Sequence, residues 1–216
     1  MRLFNPEWEA IKEFEHTAKV RDAQFDLAGS ELAEDHGQVL FDSLTRMAPW
    51  LAGSDEIGIH PIHGAASGRG TLVINRRAKL VLRLPLALLD AAKDLCGQSI
   101  DLGCGPIRIG DLKIKPLQPF GYLYAPFVDM GAADEGRFLE LAGAQLEKMG
   151  VQAGLIPGKP RKMLVPDGEV VGYSLMLHDV TLANSILIQE QGLGWNRLKG
   201  CGLFVPHKSI KEVTAG

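Results

Sequence analysis

The sequence predicts an α+β protein made of two consecutive β-α-β-β-α-β units. Three observations carry that expectation. Short β-branched and apolar runs alternate along the chain with amphipathic stretches at helical spacing, rather than gathering at one end. The order of segments in the first half begins again in the second, with the turn-forming stretch between Pro116 and Pro119 as the seam. A chain of 216 residues, 46% hydrophobic and 23% charged, is also long enough for two small cores. The expected halves are residues 1–117 and 118–216.

In order, residues 6–17 have a weak helical pattern through Trp8, Ile11 and Phe14, and residues 20–27 alternate as a strand does, through Phe25 and Leu27. A helix follows. Asp35 stands as its N-cap ahead of His36, with Val39, Leu40, Leu44 and Met47 at helical spacing and Pro49 near the end. Residues 57–62, 70–75 and 79–84 are β-rich runs, the first two separated by a Gly/Ser loop and the last two by Arg76-Arg77. Residues 86–95 read as a second helix, and 99–102 and 107–115 as strands. The second half opens with a strand at 123–128. Its first helix, 138–149, carries Phe138, Leu141, Ala142, Leu146 and Met149 on one side. A strand at 151–156, a basic Gly/Pro loop at 158–162, a strand at 170–177, a helix at 181–189 and a short strand at 203–205 complete it. Two split β-α-β units of this kind make tandem ferredoxin-like (RRM-like) domains, here with a glycine-rich loop near the C-terminus.

Composition excludes several classes. No run of about 18 apolar residues occurs, and the first 19 residues are acidic where a signal peptide needs a basic start, so a membrane protein or a secreted one is not expected; the cytoplasm is. Cys96, Cys104 and Cys201 are odd in number and lack a CxxC pair, which speaks against a disulfide framework and a cysteine zinc site. The net charge of −3 speaks against a polyanion partner until it is divided: residues 1–60 carry −7, residues 61–125 carry +5 and residues 126–216 carry −1.

Asp101-Leu102-Gly103-Cys104-Gly105 resembles the first motif of adenosylmethionine-dependent methyltransferases. That fold needs a helix straight after the turn. Here Pro106 follows at once, and residues 107–115 alternate with period two, so a β-turn with glycines at positive φ is the better reading. Gly192-Leu193-Gly194-Trp195-Asn196-Arg197-Leu198-Lys199-Gly200-Cys201-Gly202 carries more. Its four glycines free the backbone to bring amide N–H groups close to phosphate, and Arg197 and Lys199 add charge-assisted contacts. From 191 to 211 there is no acid.

This segment is similar to the glycine-rich loop of the repeat-associated (RAMP) superfamily of CRISPR systems. With Asp35-His36-Gly37, Ile59-His60-Pro61-Ile62 and Leu82-Arg83-Leu84-Pro85 in order before it, the chain from about 20 to 208 resembles the CRISPR repeat-processing endoribonucleases, the Cas-six family, in its myxobacterial-type branch. The resemblance implies cleavage of precursor CRISPR RNA within repeats, without a metal ion or other cofactor, by attack of a 2′-hydroxyl on the neighbouring phosphate to give a 2′,3′-cyclic phosphate and a 5′-hydroxyl. It also implies that the partners are repeat RNA and other subunits of a CRISPR effector complex, with RNA binding short of cleavage as the alternative activity.

The family's base lies on or beside the first helix, which points to His36, kept neutral by the helix N-terminus. His60 or His63 stands as an alternative base or as an RNA-positioning residue; three apart across a proline, they make a poor metal pair. Tyr122, Tyr124 and Tyr173 fall outside the segment where some members place a tyrosine. Gly192, Gly194, Arg197, Lys199, Gly200 and Gly202 are expected on the RNA backbone, as are Arg69, Arg76, Arg77, Lys79 and Arg83 and the cations Lys159, Arg161 and Lys162. Trp195 is a candidate for stacking on an unpaired base.

Overall fold

The structure is a computed structural model and describes Ile11, Phe14 and residues 17–207 except Asp167. The helix expected over 6–17 falls almost wholly outside the described residues.

The chain runs β1 (Val20–Ala28), β2 (Glu31–Ala33), α1 (Gly37–Met47), β3 (Gly58–Ile59), β4 (Ala65–Ala66), β5 (Thr71–Val73), β6 (Lys79–Pro85), β7 (Ser99–Asp101), β8 (Pro106–Lys115), β9 (Leu123–Val128), α2 (Glu135–Lys148), β10 (Gly154–Val165), β11 (Gly168–His178), α3 (Leu182–Gln191) and β12 (Val205–Pro206). The first large sheet is antiparallel in the order β3-β6-β1-β8-β7, the second in the order β10-β11-β9-β12, and β2-β5-β4 form a small third sheet. With β7 set aside as an added edge strand, both large sheets follow one order, in which the first strand lies between the third and the fourth and the second is at an edge. That is the ferredoxin-like order expected from the sequence.

Period-two alternation explains why β1 sits at the centre. Ala23 and Phe25 point into a core shared with Leu40 and Leu44 of α1 and Leu80, Leu82 and Leu84 of β6, while Asp22, Gln24 and Asp26 alternate with them. The second core gathers Leu123, Ala125 and Val128 of β9, Phe138, Ala142 and Leu146 of α2, and Leu175 and Leu177 of β11. α2 is capped by Asp134, whose Oδ1 accepts from Arg137 N at 2.9 Å, and α3 by Thr181, whose Oγ1 accepts from Asn184 N at 3.2 Å.

Two expected elements differ. The helix at 86–95 is instead a pair of 3-10 turns, Leu86–Leu88 and Ala91–Leu95, because its buried residues Ala92 and Leu95 lie three apart and a single tight turn satisfies them. The basic loop at 158–162 lies within β10, which pairs with β11 from Gly154 opposite His178 to Val165 opposite Gly168, with a bulge between Pro157 and Pro160. β10 is an edge strand, so prolines that cannot donate to a ladder are tolerated there.

Candidate nucleic-acid interface

A groove of about 750 Å³ opens where three parts of the fold meet: Asp35, His36 and Gly37 at the start of α1, Arg161, Lys162 and Met163 on β10, and Lys199 and Gly200 of the loop after α3. Backbone proximity makes the meeting possible. A methyl group on Gly37 would lie 2.5 Å from the Lys199 carbonyl oxygen, and one on Gly200 would lie 3.3 Å from Pro61 Cδ. Asp35, expected as an N-cap, instead reaches across to β10, its Oδ2 accepting from Leu164 N at 3.0 Å. The N-cap position of α1 belongs to His36, whose side chain does not cap the helix.

His36 is 4% exposed and forms part of the groove wall. Its Nδ1 lies 2.9 Å from Ala33 O and 3.1 Å from Glu34 O, and its Nε2 accepts from Ile62 N at 2.9 Å. Two carbonyls on one nitrogen and an N–H on the other assign the tautomer: Nδ1 carries the proton and Nε2 the lone pair. Burial depresses its pKa below the ordinary imidazole value, against the opposing pull of the two carbonyls and Asp35. The neutral form expected from the helix N-terminus therefore arises here chiefly from desolvation.

The remaining histidines divide by environment. His60 is 7% exposed, and burial, with Arg83 beside it, pushes its pKa down to about 3; its Nε2 has no hydrogen-bond partner among the described residues. Unlike His36, His60 does not line the groove. His63 is exposed, on the loop that Ile62 ties to His36. His178 pairs with Asp179 at 2.7 Å, and the His207 ring lies 5.4 Å from that of Tyr124. Tyr173 donates to Ala133 O at 2.7 Å, well inside the second core.

The glycine loop is hydrogen-bonded into the protein at each of its glycines. All four of its glycine amides donate within the protein: Gly192 to Ile188 O at 2.7 Å, Gly194 to Gln145 Oε1 at 2.9 Å, Gly200 to Arg197 O at 3.3 Å and Gly202 to Phe127 O at 2.8 Å. All four have positive φ, and side chains on Gly192, Gly194 and Gly202 would collide with backbone carbonyls. These glycines let the loop fold upon itself and upon β9, with their amides already engaged within the protein. Arg197 also turns inward. Its Nη2 donates to Glu190 O at 2.6 Å, closing the C-terminus of α3, and burial lowers its pKa to about 10, so it stays charged at neutral pH. Lys199, half-buried, is the loop cation that lines the groove.

Arg83 must also be corrected. At 0% exposure it is bonded through Nε and Nη2 to Asp22 at 2.7 and 3.0 Å, and through Nη1 to Gln189 O and Phe204 O, both at 2.9 Å. It joins the first sheet to α3 and the last segment of the second half, and no RNA can touch it. Burial alone would raise the Asp22 carboxyl, but the Arg83 guanidinium outweighs this and holds it below the usual range. Lys79 is paired with Asp26 at 2.9 Å. Arg69, Arg76 and Arg77 are exposed, on the small-sheet turns, and Lys159, Arg161 and Lys162 are exposed on β10. That β10 cations reach the His36 groove was not legible in the sequence, because they were read as a loop.

The methyltransferase-like motif is a hairpin turn between β7 and β8: Asp101 Oδ1 accepts from Gly103 N at 2.9 Å and Gly105 N at 3.3 Å, and both glycines have positive φ. Among the described residues no cluster of three or more His, Cys, Asp or Glu side chains could hold a metal, and no helix is long and apolar enough to cross a membrane.

Fold and groove together define a tandem ferredoxin-like protein with a groove lined from both halves of the chain. Comparison with known proteins narrows the class. Residues 22–209 match the family described as Cas6 Crispr. A curated relative, the CRISPR-associated endonuclease Cas6 of Myxococcus xanthus (strain DK1622), is 32% identical over 186 residues, which cover 86% of this chain and 80% of the relative. The chain belongs to the Cas6 family. Among solved structures, a CRISPR associated protein Cas6 superposes with a TM-score of 0.64 at 10% identity, over 88% of this chain and all of that one. A RAMP protein binding different RNA substrates gives 0.61 at 12% identity, over 87% and 100%. The product of a Cas6-related gene from Pyrococcus furiosus gives 0.58 at 12%, over 88% and 100%. At these identities the likeness is one of fold.

Proposed function

We propose that this protein is a metal-independent endoribonuclease that cuts precursor CRISPR RNA within its repeats, acting in the cytoplasm alone or with other subunits of a CRISPR effector complex. Residues 1–117 and 118–216 form its two units, a division supported by the sheets, which span Val20–Lys115 and Leu123–Pro206. One observation carries the reading: a neutral imidazole, His36, and the cations Lys199, Arg161 and Lys162 line one groove.

In the reaction His36 Nε2 takes the proton of the 2′-hydroxyl beside the scissile phosphate. The 2′-oxygen forms a bond to phosphorus as the bond to the 5′-oxygen breaks, and that oxygen leaves and takes a proton from water to become a 5′-hydroxyl. Lys199 stabilises the charge on the pentacoordinate phosphate, and the β10 cations hold the flanking backbone. The Nδ1 contacts to Ala33 O and Glu34 O keep the lone pair on the nitrogen this chemistry needs.

The Ile62 N–H that occupies Nε2 must give way to the 2′-hydroxyl, and this same hydrogen bond favours a second reading, an RNA-binding subunit with weak cleavage. Cleavage of the chain's own repeat RNA in EDTA separates the two. Active wild-type protein supports the enzyme, and its inactivity with tight binding supports the subunit. His36→Gln is the informative variant, since the glutamine oxygen can accept from Ile62 yet cannot take the proton. Cleavage should fall about 10²- to 10⁴-fold while binding and folding persist. Cleavage unchanged in His36→Gln, and lost in His63→Ala, would move the base to His63.

A further inference from the structure

We propose that Trp195 is a preformed platform on which one unpaired base of the bound RNA stacks. The proposal rests on the RNA-processing reading and deepens it, because it places a single-stranded nucleotide at the loop beside Lys199.

The indole is 60% exposed, unusual for so large a side chain, yet the residue that carries it is fastened at every side. Trp195 N donates to Asp129 O at 2.9 Å in an antiparallel bridge that extends the end of β9. Asn196, in the left-handed region at φ 57°, donates from Nδ2 to Asp129 Oδ2 at 2.7 Å, and Asp129 Oδ1 accepts from Gly131 N at 2.9 Å. Beneath the ring lies Gly131, with φ +66°. A methyl group there would sit 2.9 Å from Cζ3 of the indole, so the edge of the six-membered ring occupies the space a side chain would fill. One edge of the ring is thereby seated and the rest faces solvent.

Three features fit a nucleobase. The ring is held before any ligand arrives, so little side-chain freedom remains to be lost when a base lies on it. The ring is the exposed large apolar side chain of its loop: the others among the described residues, Val39, Val73, Leu86, Ile114, Ile156 and Leu164, stand on other elements. The charge is also right. Lys199 N donates to Asn196 O at 2.8 Å, folding the cation of the groove back beside the residue that follows Trp195, and the nearby acid, Asp129, is buried with both oxygens engaged. A strand whose phosphates follow Lys199 therefore brings its next bases toward the indole.

The test uses the full chain with its repeat RNA carrying 2-aminopurine at each unpaired position in turn, whose fluorescence reports stacking. One position is expected to respond in the wild type, to fall silent in Trp195→Ala and to persist in Trp195→Phe. The affinity of Trp195→Ala for RNA with unpaired nucleotides should fall about tenfold, ~1.4 kcal/mol, while a blunt stem binds as before. Gly131→Ala, which displaces the ring without removing it, should weaken binding in the same direction. Equal affinity of wild type and Trp195→Ala for both RNAs, with no lost 2-aminopurine signal, would overturn the platform. So would equal weakening on both RNAs with a lower melting temperature, which marks a structural tryptophan. Failure of the wild type to bind repeat RNA at all would sink the RNA-processing reading instead, and binding to oligo(rA) by wild type and Trp195→Ala then decides the platform on its own.

Discussion

Arg83 and His60 show how much of the chain's polar chemistry is structural. Removing Arg83 leaves the Asp22 carboxylate enclosed without its partner, so Arg83→Met should lower unfolding stability by about 3–5 kcal/mol in urea titration, far beyond the cost of losing a surface cation. His60 makes stability depend on pH with a definite sign. It is neutral in the fold, with a pKa pushed down to about 3, whereas in the unfolded chain it takes up a proton near pH 6.5. Its stabilising neutral form is fully present above about pH 6.5 and is lost as pH falls from there toward 3; His36, also depressed, acts in the same direction. The slope is at most about 1.4 kcal/mol per pH unit for each imidazole. Asp22, lowered from 3.8, contributes only below the window from 4.5 to 6.5. Urea midpoints should therefore fall between pH 6.5 and 4.5, and His60→Asn should flatten the fall; an unchanged slope in that variant would exclude His60 as its source.

β10 carries the matching lesson among elements. Arg161 and Lys162 were readable as a basic stretch, but Pro157, Gly158 and Pro160 read as loop, and only the register with β11 brings those cations to the α1 terminus. Arg161→Glu with Lys162→Glu should weaken RNA binding and reduce its salt dependence, the slope of log K against log salt falling by about 0.7–0.9 for each phosphate contact removed. A weaker complex with an unchanged slope would mean that these cations do not touch phosphate. The exposed Lys162–Glu169 pair at 2.7 Å adds little stability, so the double variant should fold normally. Strong periodicity made most strands and α1, α2 and α3 legible. The helix at 86–95 was not, because three leucines in a row of four satisfy helical spacing as readily as two tight turns do. Arg83 was misread for a related reason: a cation on a strand usually faces water, but here the second half of the chain covers that face.

For the whole molecule, the family resemblance was enough to expect His36 as a base and Lys199 on the RNA backbone, whereas the close approach that puts both on one groove, Gly37 against the Lys199 carbonyl, leaves no signature in a single sequence. Gly37→Ala should force that approach apart, costing about 1–3 kcal/mol in stability and reducing cleavage of repeat RNA more than binding to it. The net charge of −3 likewise hides its arrangement, since the acidic first 60 residues accompany a groove lined by three cations. Because the groove takes one wall from residues 35–37 and another from residues 199–200, its assembly is tied to the direction of protein synthesis. A ribosome makes the imidazole some 160 residues before the lysine, so on the proposed reading the cutting site is incomplete until the helix and loop that carry Lys199 have been made and have docked.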